Sequence, residues 1–165
     1  MADSLAKQYK ALLEAPEILI MPGVFDGFSA AIVEKMGFKA GFISGAGISE
    51  SALGLSDVGV MGLEDNLARA RALADVSTIP MQADADTGYG NAVNVYHTVR
   101  AFEKAGLSGV MIEDQVWPKR CGHMKGGGRC QGRFRFRHHV AHRYICRAWV
   151  GRCRRAAERF RGGGR

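Results

Sequence analysis

Several features that would assign a sequence to a class at once are missing from this chain of 165 residues. No apolar run approaches the roughly 20 residues that a membrane-spanning helix needs. The first residues lack the charged-then-apolar pattern of a signal peptide, and no C-x-x-C pair occurs among the four cysteines. We therefore expect a cytoplasmic protein with reduced thiols, with an organellar address as the alternative.

Lysine is absent from residues 127–165, which carry 12 arginines and a single acid, Glu158. Residues 1–126 instead carry 11 Lys or Arg against 15 Asp or Glu. The formal net charge of +7 therefore averages an acidic segment and a strongly basic one. We divide the chain into a domain of residues 1–126 and an Arg/Gly-rich tail of residues 127–165.

Short apolar runs alternate with helix-like segments along residues 1–126. Helices are predicted at 4–14, 28–36, 63–76 and 92–105, and strands at 18–21, 40–44, 79–83 and 109–112. This alternation predicts an α/β fold with a parallel sheet. Four β/α units would be the N-terminal half of a (β/α)₈ barrel of about 250 residues. An open doubly wound sheet is the alternative, because strand order cannot be read from the pattern.

Acidic residues follow the third predicted strand, where Asp84 and Asp86 precede Gly88 and Gly90. Mg²⁺ takes oxygen ligands and keeps several waters, so one or two carboxylates plus substrate can hold it. In a strand, residues i and i+2 point to the same side, so we expect both carboxylates to reach one ion. The alternative is an ordinary turn at the end of a strand. Polar residues also follow the second and fourth strands, and in an α/β barrel catalytic groups gather at that edge.

A single thiol lies beyond the fourth predicted strand, in a basic setting. Cys121 is flanked by Lys119, Arg120 and His123. Nearby positive charge lowers a thiol pKa and favours the thiolate, which can donate or accept a proton near neutral pH. The alternative is an incidental cysteine in a basic loop.

Five motifs in residues 1–126 follow one another in the order found in the isocitrate lyase/phosphoenolpyruvate mutase superfamily. They are Met21–Asp26, Ser44–Gly47, Asp84–Gly90, Ile112–Gln115 and Lys119–His123. Residues 1–126 therefore resemble the N-terminal half of a member of that superfamily. The resemblance implies a (β/α)₈ barrel, a homotetramer in full-length members, and a reaction that passes through an enolate and depends on Mg²⁺, with Mn²⁺ as a possible substitute.

The resemblance also assigns roles to individual residues. Asp84 would lead the metal site, surrounded by Asp57, Asp86 and Glu113. The oxygens of the substrate, a small carboxylate, would be held by residues from three places in the chain: Ser44, Gly45, Ala46, Asp57 and Arg120.

The Lys-x-Cys-Gly-His motif implies carbon–carbon bond cleavage. Cys121 would transfer a proton to or from the leaving carbon, while Lys119 and His123 support the thiol and bind a substrate carboxylate. We therefore favour a 2-methylisocitrate-like lyase that acts on a small 2-hydroxy di- or tricarboxylate. Carboxyphosphonoenolpyruvate mutase-like and oxaloacetate-cleaving members are the alternatives.

The tail of residues 127–165 departs from the family pattern. Arginines interleaved with Phe134, Phe136, Tyr144 and Trp149 would suit an arm that binds nucleic acid. A metal site is a second hypothesis, but the spacing of the candidate ligands matches no standard zinc pattern. Those ligands are Cys130, His138, His139, His142, Cys146 and Cys153.

A third hypothesis is that the tail is the family's own gene translated in a wrong frame. Removing one base from the possible codons of residues 136–165 permits the strings F-V-I-T-S-R-T-D, G-L-D-D-A-V-E-R and E-A-G-A, in that order. These strings resemble the family's next strand and helix. We favour this hypothesis, and we expect a disordered tail without a nucleic-acid partner. We also expect the half barrel to be inactive, with its fourth strand an exposed edge.

Overall fold

The computed structural model describes residues 2–113 and, for the backbone alone, residues 136–139. The helices are α1 (Ala2–Glu14), α2 (Gly27–Lys35), α3 (Gly45–Ile48), α4 (Leu63–Val76) and α5 (Ala92–Lys104). The strands are β1 (Gly23–Val24), β2 (Gly41–Ile43), β3 (Met81–Asp84), β4 (Gly109–Glu113) and β5 (Phe136–His139). Among these helices, none has the length and apolar character required to cross a bilayer.

The sheet confirms the predicted α/β fold with parallel strands. Its order is β1-β2-β3-β4-β5, and each of the first three strands pairs in parallel with the next. A doubly wound sheet reverses its strand order at a switch point, whereas a barrel adds successive strands in one direction. The described strands therefore follow barrel-type winding.

The fourth strand is not the exposed edge that we predicted. β5 pairs with it antiparallel, with Val110 opposite His139 and Glu113 opposite Phe136. An edge strand presents a row of unpaired N–H and C=O groups, and antiparallel pairing satisfies them. The prediction of a disordered tail otherwise concerns residues 127–135 and 140–165, which lie outside the described part of the chain.

The first strand lies two residues beyond the place predicted for it, so the prediction of a buried strand at residues 18–21 was wrong. Ile18 and Ile20 are 89% and 61% exposed, whereas Leu19 and Met21 pack near Tyr9. The run is thus extended, with alternate side chains turned inward. Strand pairing starts only where the chain reaches β2.

One face of the sheet carries the core with the helices. Ile43, Ala83 and Val110 are opposite one another in the register and pack with buried side chains of the helices, such as Leu67 of α4 and Phe102 of α5. Because side chains alternate along a strand, the neighbouring positions project from the other face. Those positions are Phe42, Gln82, Asp84, Met111 and Glu113. In a closed barrel this second face is the interior.

Helix α1 covers part of that second face through Tyr9, which is 1% exposed. The Tyr9 hydroxyl hydrogen-bonds to Oε1 of Gln82, and burial raises the pKa of Tyr9 to about 12. A Cβ atom at Gly109 would lie 2.7 Å from Cε1 of Tyr9, so β4 admits this ring only because residue 109 is glycine. The contact lies near the start of β4, which leaves the carboxyl ends of the strands to the polar residues.

Candidate metal and substrate site

Polar residues converge where β2, β3 and β4 end, as the sequence predicts. β3 ends at Asp84 and β4 at Glu113, while Ser44 directly follows β2. The register places Ile43 beside Ala83 and Asp84 beside Met111, so β2 and β3 end within one residue of each other and β4 continues two residues further, to Glu113. Parallel strands thus bring Ser44, Asp84 and Glu113 to one edge of the sheet.

Asp84 and Asp86 are brought together by a turn, because Asp86 lies beyond the end of the strand. β3 ends at Asp84, and Asp86 has a φ of 47°, in the left-handed region. The expectation that i and i+2 share one side of a strand was therefore wrong for this pair. The N–H of Asp86 instead donates to Oδ1 of Asp84 at 3.0 Å. Aspartate tolerates this conformation because its short side chain bonds the nearby backbone.

Both carboxylates are withdrawn from solvent. Asp84 is 8% exposed and Asp86 is 2% exposed. The carbonyl of Asp86 accepts from the N–H of Glu113 at 2.6 Å, which ties the turn to the end of β4. A buried carboxylate is stable only when it is hydrogen-bonded, paired or bound to a metal. The arrangement thus concentrates negative charge at a fixed place at the strand ends.

Asn66 and Tyr89 support this turn from the helix side. The Asn66 side-chain amide donates to the carbonyl of Asp84 and to the hydroxyl of Tyr89, each at 2.7 Å. Burial, followed by the negative charge of Asp86, raises the pKa of Tyr89 well above its usual value, and a hydrogen bond to Asp86 acts in the same direction. The tyrosine therefore stays protonated and can donate to the carboxylate.

The glycines of the motif allow the turn to fold against α5. Gly88 has a φ of 89°, and a Cβ there would lie 2.6 Å from a methyl group of Val95. The carbonyl of Gly88 accepts from Oγ1 of Thr98 at 3.0 Å. Only a residue without a side chain allows this close approach together with a positive φ.

The segment predicted to bind substrate oxygens forms the start of a short helix. Ser44 is the N-cap of α3, and its Oγ accepts from the N–H of Gly47 at 3.2 Å. The N–H groups of Gly45 and Ala46 have no acceptor inside the helix, since the first turn of a helix offers none. The sequence predicted no helix between the strand at 40–44 and the helix at 63–76. The structure instead forms α3 and a π-helical turn at Ser49–Leu53.

Gly45 lies directly against the Asp84 carboxylate. A Cβ atom at residue 45 would be 3.0 Å from Oδ2 of Asp84 and 3.3 Å from its Cγ. The missing side chain leaves open the space beside this oxygen. The substrate segment and the carboxylate turn are therefore neighbours in the fold.

The remaining predicted residues divide into two groups. Asp57 is half-buried in the loop before α4. The catalytic candidates Lys119, Cys121 and His123, with Arg120, lie outside the described residues. Their roles stay predictions, as does the role of Asp57.

The donor set fits a hard divalent cation. Asp84 and Asp86 offer buried carboxylate oxygens, and Gly45 leaves room at Oδ2 of Asp84. Within residues 2–113 no three His, Cys, Asp or Glu side chains are grouped closely enough to enclose an ion alone. Mg²⁺ commonly binds through one or two carboxylates and keeps water in its other positions, so a sparse carboxylate site suits it.

Sequence reasoning missed Asn66, although a signal was present. Asn66 is wholly buried and occupies the same face of α4 as Ala70 and Leu73, four and seven residues later. That spacing marks the core face of a helix, where an amide is costly unless it is hydrogen-bonded. A polar residue at a core position was thus the clue to a buried contact.

The known proteins that this chain is similar to are enzymes. Residues 9–140 match the PEP mutase family, described as phosphoenolpyruvate phosphomutase. The chain is 45% identical over 121 residues to 2,3-dimethylmalate lyase of Eubacterium barkeri, covering 73% of this chain and 42% of the relative. It is 48% identical over 120 residues to the chloroplastic carboxyvinyl-carboxyphosphonate phosphorylmutase of Arabidopsis thaliana, covering 72% and 35%. It is 42% identical over 117 residues to 2-methylisocitrate lyase of Aeropyrum pernix, covering 71% and 38%.

The solved structures that resemble this chain are also enzymes. The structure of oxaloacetate acetylhydrolase in complex with the product oxalate is similar with a TM-score of 0.68 and 39% identity, over 72% of this chain and 42% of that one. Phosphonopyruvate hydrolase in complex with oxalate and Mg²⁺ has a TM-score of 0.66 and 32% identity, over 69% and 40%. The chain therefore spans less than half the length of these relatives.

Proposed function

Because this chain belongs to the phosphoenolpyruvate mutase/isocitrate lyase superfamily, we propose that its gene specifies a Mg²⁺-dependent carbon–carbon lyase. Its substrate would be a small 2-hydroxy di- or tricarboxylate of the 2-methylisocitrate type. The observation that carries this proposal is the buried turn of Asp84 and Asp86 beside Gly45 at the strand ends. Such a site can hold a cation next to a substrate oxygen.

Each part of the site would have a distinct task. Asp84 and Asp86 would bind the cation, with Glu113 and Asp57 around it through water. The cation, when bound, would supply positive charge that stabilises negative charge developing on substrate oxygen. The N–H groups of Gly45 and Ala46 and the hydroxyl of Ser44 would orient the same end of the substrate, because Gly45 lies beside Asp84 and the three residues are consecutive at the start of α3.

Cys121 would supply the proton step. Cleavage of the carbon–carbon bond would convert the deprotonated 2-hydroxyl group into a carbonyl and leave the bonding electron pair on the departing carbon, to which the thiol would donate a proton. Lys119 and His123 would set the protonation state of the thiol and, with Arg120, hold a substrate carboxylate. This thiol favours the lyase over the mutase-like alternative. An oxaloacetate-cleaving activity stays the second alternative, supported by the similarity to oxaloacetate acetylhydrolase.

The 165-residue chain itself would not catalyse this reaction. It spans only 35–42% of the curated relatives described above, and its four described parallel strands are half the number in a (β/α)₈ barrel. A catalytic site needs its groups held to within about 0.5 Å, and half a barrel lacks the supporting elements. We propose that residues 127–165 arise from a frameshift and that the frame-restored protein is a homotetramer.

The test compares two proteins made from the same gene. Sequencing of transcripts across the codons for Lys125 to Gly128 establishes the reading frame. The frame-restored protein is then assayed with 2-methylisocitrate, 2,3-dimethylmalate and oxaloacetate, with Mg²⁺ or with EDTA, alongside its Cys121→Ser variant.

We expect cleavage of one of the 2-hydroxy acids, loss of that activity in EDTA, and at least about a 100-fold lower kcat for Cys121→Ser, the lower bound for general acid catalysis. Full activity in EDTA would contradict the metal role. Independent transcripts that keep the tail in frame would contradict the frameshift. Cleavage by the 165-residue chain at the rate of the longer protein would contradict its inactivity.

A further inference from the structure

We propose that Asn66 and Tyr89 are positioning residues that hold the Asp84–Asp86 turn in its conformation, an inference that deepens the metal site proposed above. Neither residue belongs to the set of expected ligands. Asn66 lies on α4, and Tyr89 lies in the loop that leads from Asp86 to α5. Their contribution would be to fix the carboxylates that bind the cation.

Asn66 is committed to this turn by its burial and its hydrogen bonds. The residue is 0% exposed, and its amide nitrogen donates to the carbonyl of Asp84 and to the hydroxyl of Tyr89. Among the described residues its Oδ1 has no hydrogen-bond partner. A fully buried amide with an unsatisfied oxygen is costly. The two donated bonds are what offset that cost, so they fix the side chain in one orientation.

Tyr89 holds the opposite end of the turn in an unusual backbone conformation. Its φ is 60°, in the left-handed region, which a bulky residue adopts only when its surroundings impose it. Its ring packs against the core of the domain. Its hydroxyl accepts from Asn66 and is also hydrogen-bonded to Asp86. Tyr89 thereby links the Asn66 amide to the second carboxylate.

The turn needs such support because its own backbone is strained. Asp86 and Tyr89 both have positive φ, with Gly88 between them. A residue held in the left-handed region costs on the order of 1–3 kcal/mol unless the surrounding structure maintains it. Hydrogen bonds from Asn66 to the carbonyl of Asp84 and from the N–H of Glu113 to the carbonyl of Asp86 hold the chain where it enters that strained segment. Removal of the Tyr89 hydroxyl should therefore leave the Asp86 carboxylate less firmly held.

The decisive variant is Tyr89→Phe, which removes the hydroxyl and keeps the ring. Its matched control is Tyr96→Phe, because Tyr96 lies half-buried on α5 and its hydroxyl accepts from Arg100 at 3.2 Å, apart from the turn. Mn²⁺ serves as the probe, and its affinity for the 165-residue chain is measured by electron paramagnetic resonance. We expect at least about tenfold weaker binding for Tyr89→Phe and a change of less than about twofold for Tyr96→Phe.

A double-mutant cycle tests the positioning role without any metal. Tyr89→Phe is combined with Asp86→Asn, and urea unfolding is followed by circular dichroism in EDTA. We expect a coupling of about tenfold in the unfolding equilibrium constant, within the range for residues in contact. Coupling below about twofold, or unchanged Mn²⁺ affinity in Tyr89→Phe, would overturn the inference. Coupling without Mn²⁺ binding by the unsubstituted chain would support the positioning role and contradict the metal role.

Hydrogen exchange of the unsubstituted chain provides a measurement that needs no variant. The N–H of Asp86 donates to the Asp84 carboxylate, and the N–H of Glu113, at the end of β4, donates to the carbonyl of Asp86. If Asn66 and Tyr89 hold the turn, these two amides exchange as slowly as neighbouring amides of β3 and β4. Exchange at the rate of an open loop would contradict the inference even if the substituted chains failed to fold.

Discussion

Gly45→Ala is the sharpest test of the geometry at the strand ends. The added Cβ would lie 3.0 Å from Oδ2 and 3.3 Å from Cγ of Asp84. Carbon contacts are optimal at about 3.5–4.0 Å, so the carboxylate must move by several tenths of an ångström. The carboxylate cannot move freely, because its Oδ1 accepts from the N–H of Asp86. The backbone carbonyl of Asp84 is also held, since it accepts from the side-chain amide of Asn66.

Gly27→Ala is the matched control for this substitution. Gly27 is the first residue of α2, just as Gly45 is the first residue of α3, and a Cβ at Gly27 would meet no atom within 4 Å. Alanine in place of glycine at a compatible position stabilises a protein by about 0.4–1 kcal/mol. At Gly45 the same gain is opposed by an overpacking cost of about 1–3 kcal/mol. We expect Gly45→Ala to be neutral or up to about 2 kcal/mol less stable, and Gly27→Ala to be more stable.

The assay combines urea unfolding, followed by far-ultraviolet circular dichroism, with Mn²⁺ titration. We expect Gly45→Ala to weaken Mn²⁺ binding at least about tenfold, because it displaces a proposed ligand, and Gly27→Ala to leave it unchanged. Equal stabilisation by both substitutions would show that the Asp84 carboxylate does not lie beside residue 45. Displacement of Asp84 without any loss of Mn²⁺ binding would show that this carboxylate is not a ligand.

Three further predictions address separate parts of the molecule. Asp84→Asn should abolish measurable Mn²⁺ binding, because it removes the charge of the leading ligand, and calorimetric titration that finds the original affinity would contradict this. Glu34→Gln should lower the free energy of unfolding at pH 7 by about 1–2 kcal/mol, since Oε1 of Glu34 accepts from Ser77 and Thr78. Burial alone would raise the pKa of Glu34, but these hydrogen bonds lower it below 4.5. The stability that the Glu34 carboxylate contributes is therefore present above pH 4.5 and is lost as the pH falls further. The difference in free energy of unfolding between the unsubstituted chain and Glu34→Gln should therefore shrink in acid. Burial raises the pKa of Tyr9 from 10.0 to about 12, so the stability that the protonated Tyr9 contributes is complete below pH 10 and is lost as the pH rises towards 12. Tyr9→Phe should reduce the fall in the free energy of unfolding between pH 10 and pH 12, measured by urea unfolding. An equal fall in both proteins would refute this prediction.

The sequence predicted the elements whose pattern is local. Helix α4 occupies residues 63–76 as predicted, because apolar residues recur there at helical spacing. β1 was misplaced, because the apolar run at residues 18–21 precedes the point where the chain meets β2. The short helix after Ser44 was missed, because its glycines favour a loop by local preference and only the strand end and the serine cap make it helical.

Part of the candidate site was predictable from the order of the strands. Asp84 and Glu113 could be placed at one edge because parallel strands end together. The support from Asn66 could not, because it lies 18 residues from Asp84 and 23 from Tyr89 along the chain. No periodicity connects positions that meet only when α4 packs on the sheet. The left-handed turn at Asp86 depends on those distant contacts and was missed with them.

The antiparallel strand at residues 136–139 also affects what the chain can assemble with. One side of β4 can pair with only one partner, and β5 occupies the place that the next parallel strand would take in a complete barrel. A separately supplied C-terminal half would therefore have to displace β5 before it could complement this chain. The same strand blocks edge-to-edge addition of a second copy at β4, a common route to aggregation. The free side of β4 is thus closed both to a further barrel strand and to a second copy of the chain for as long as β5 stays paired.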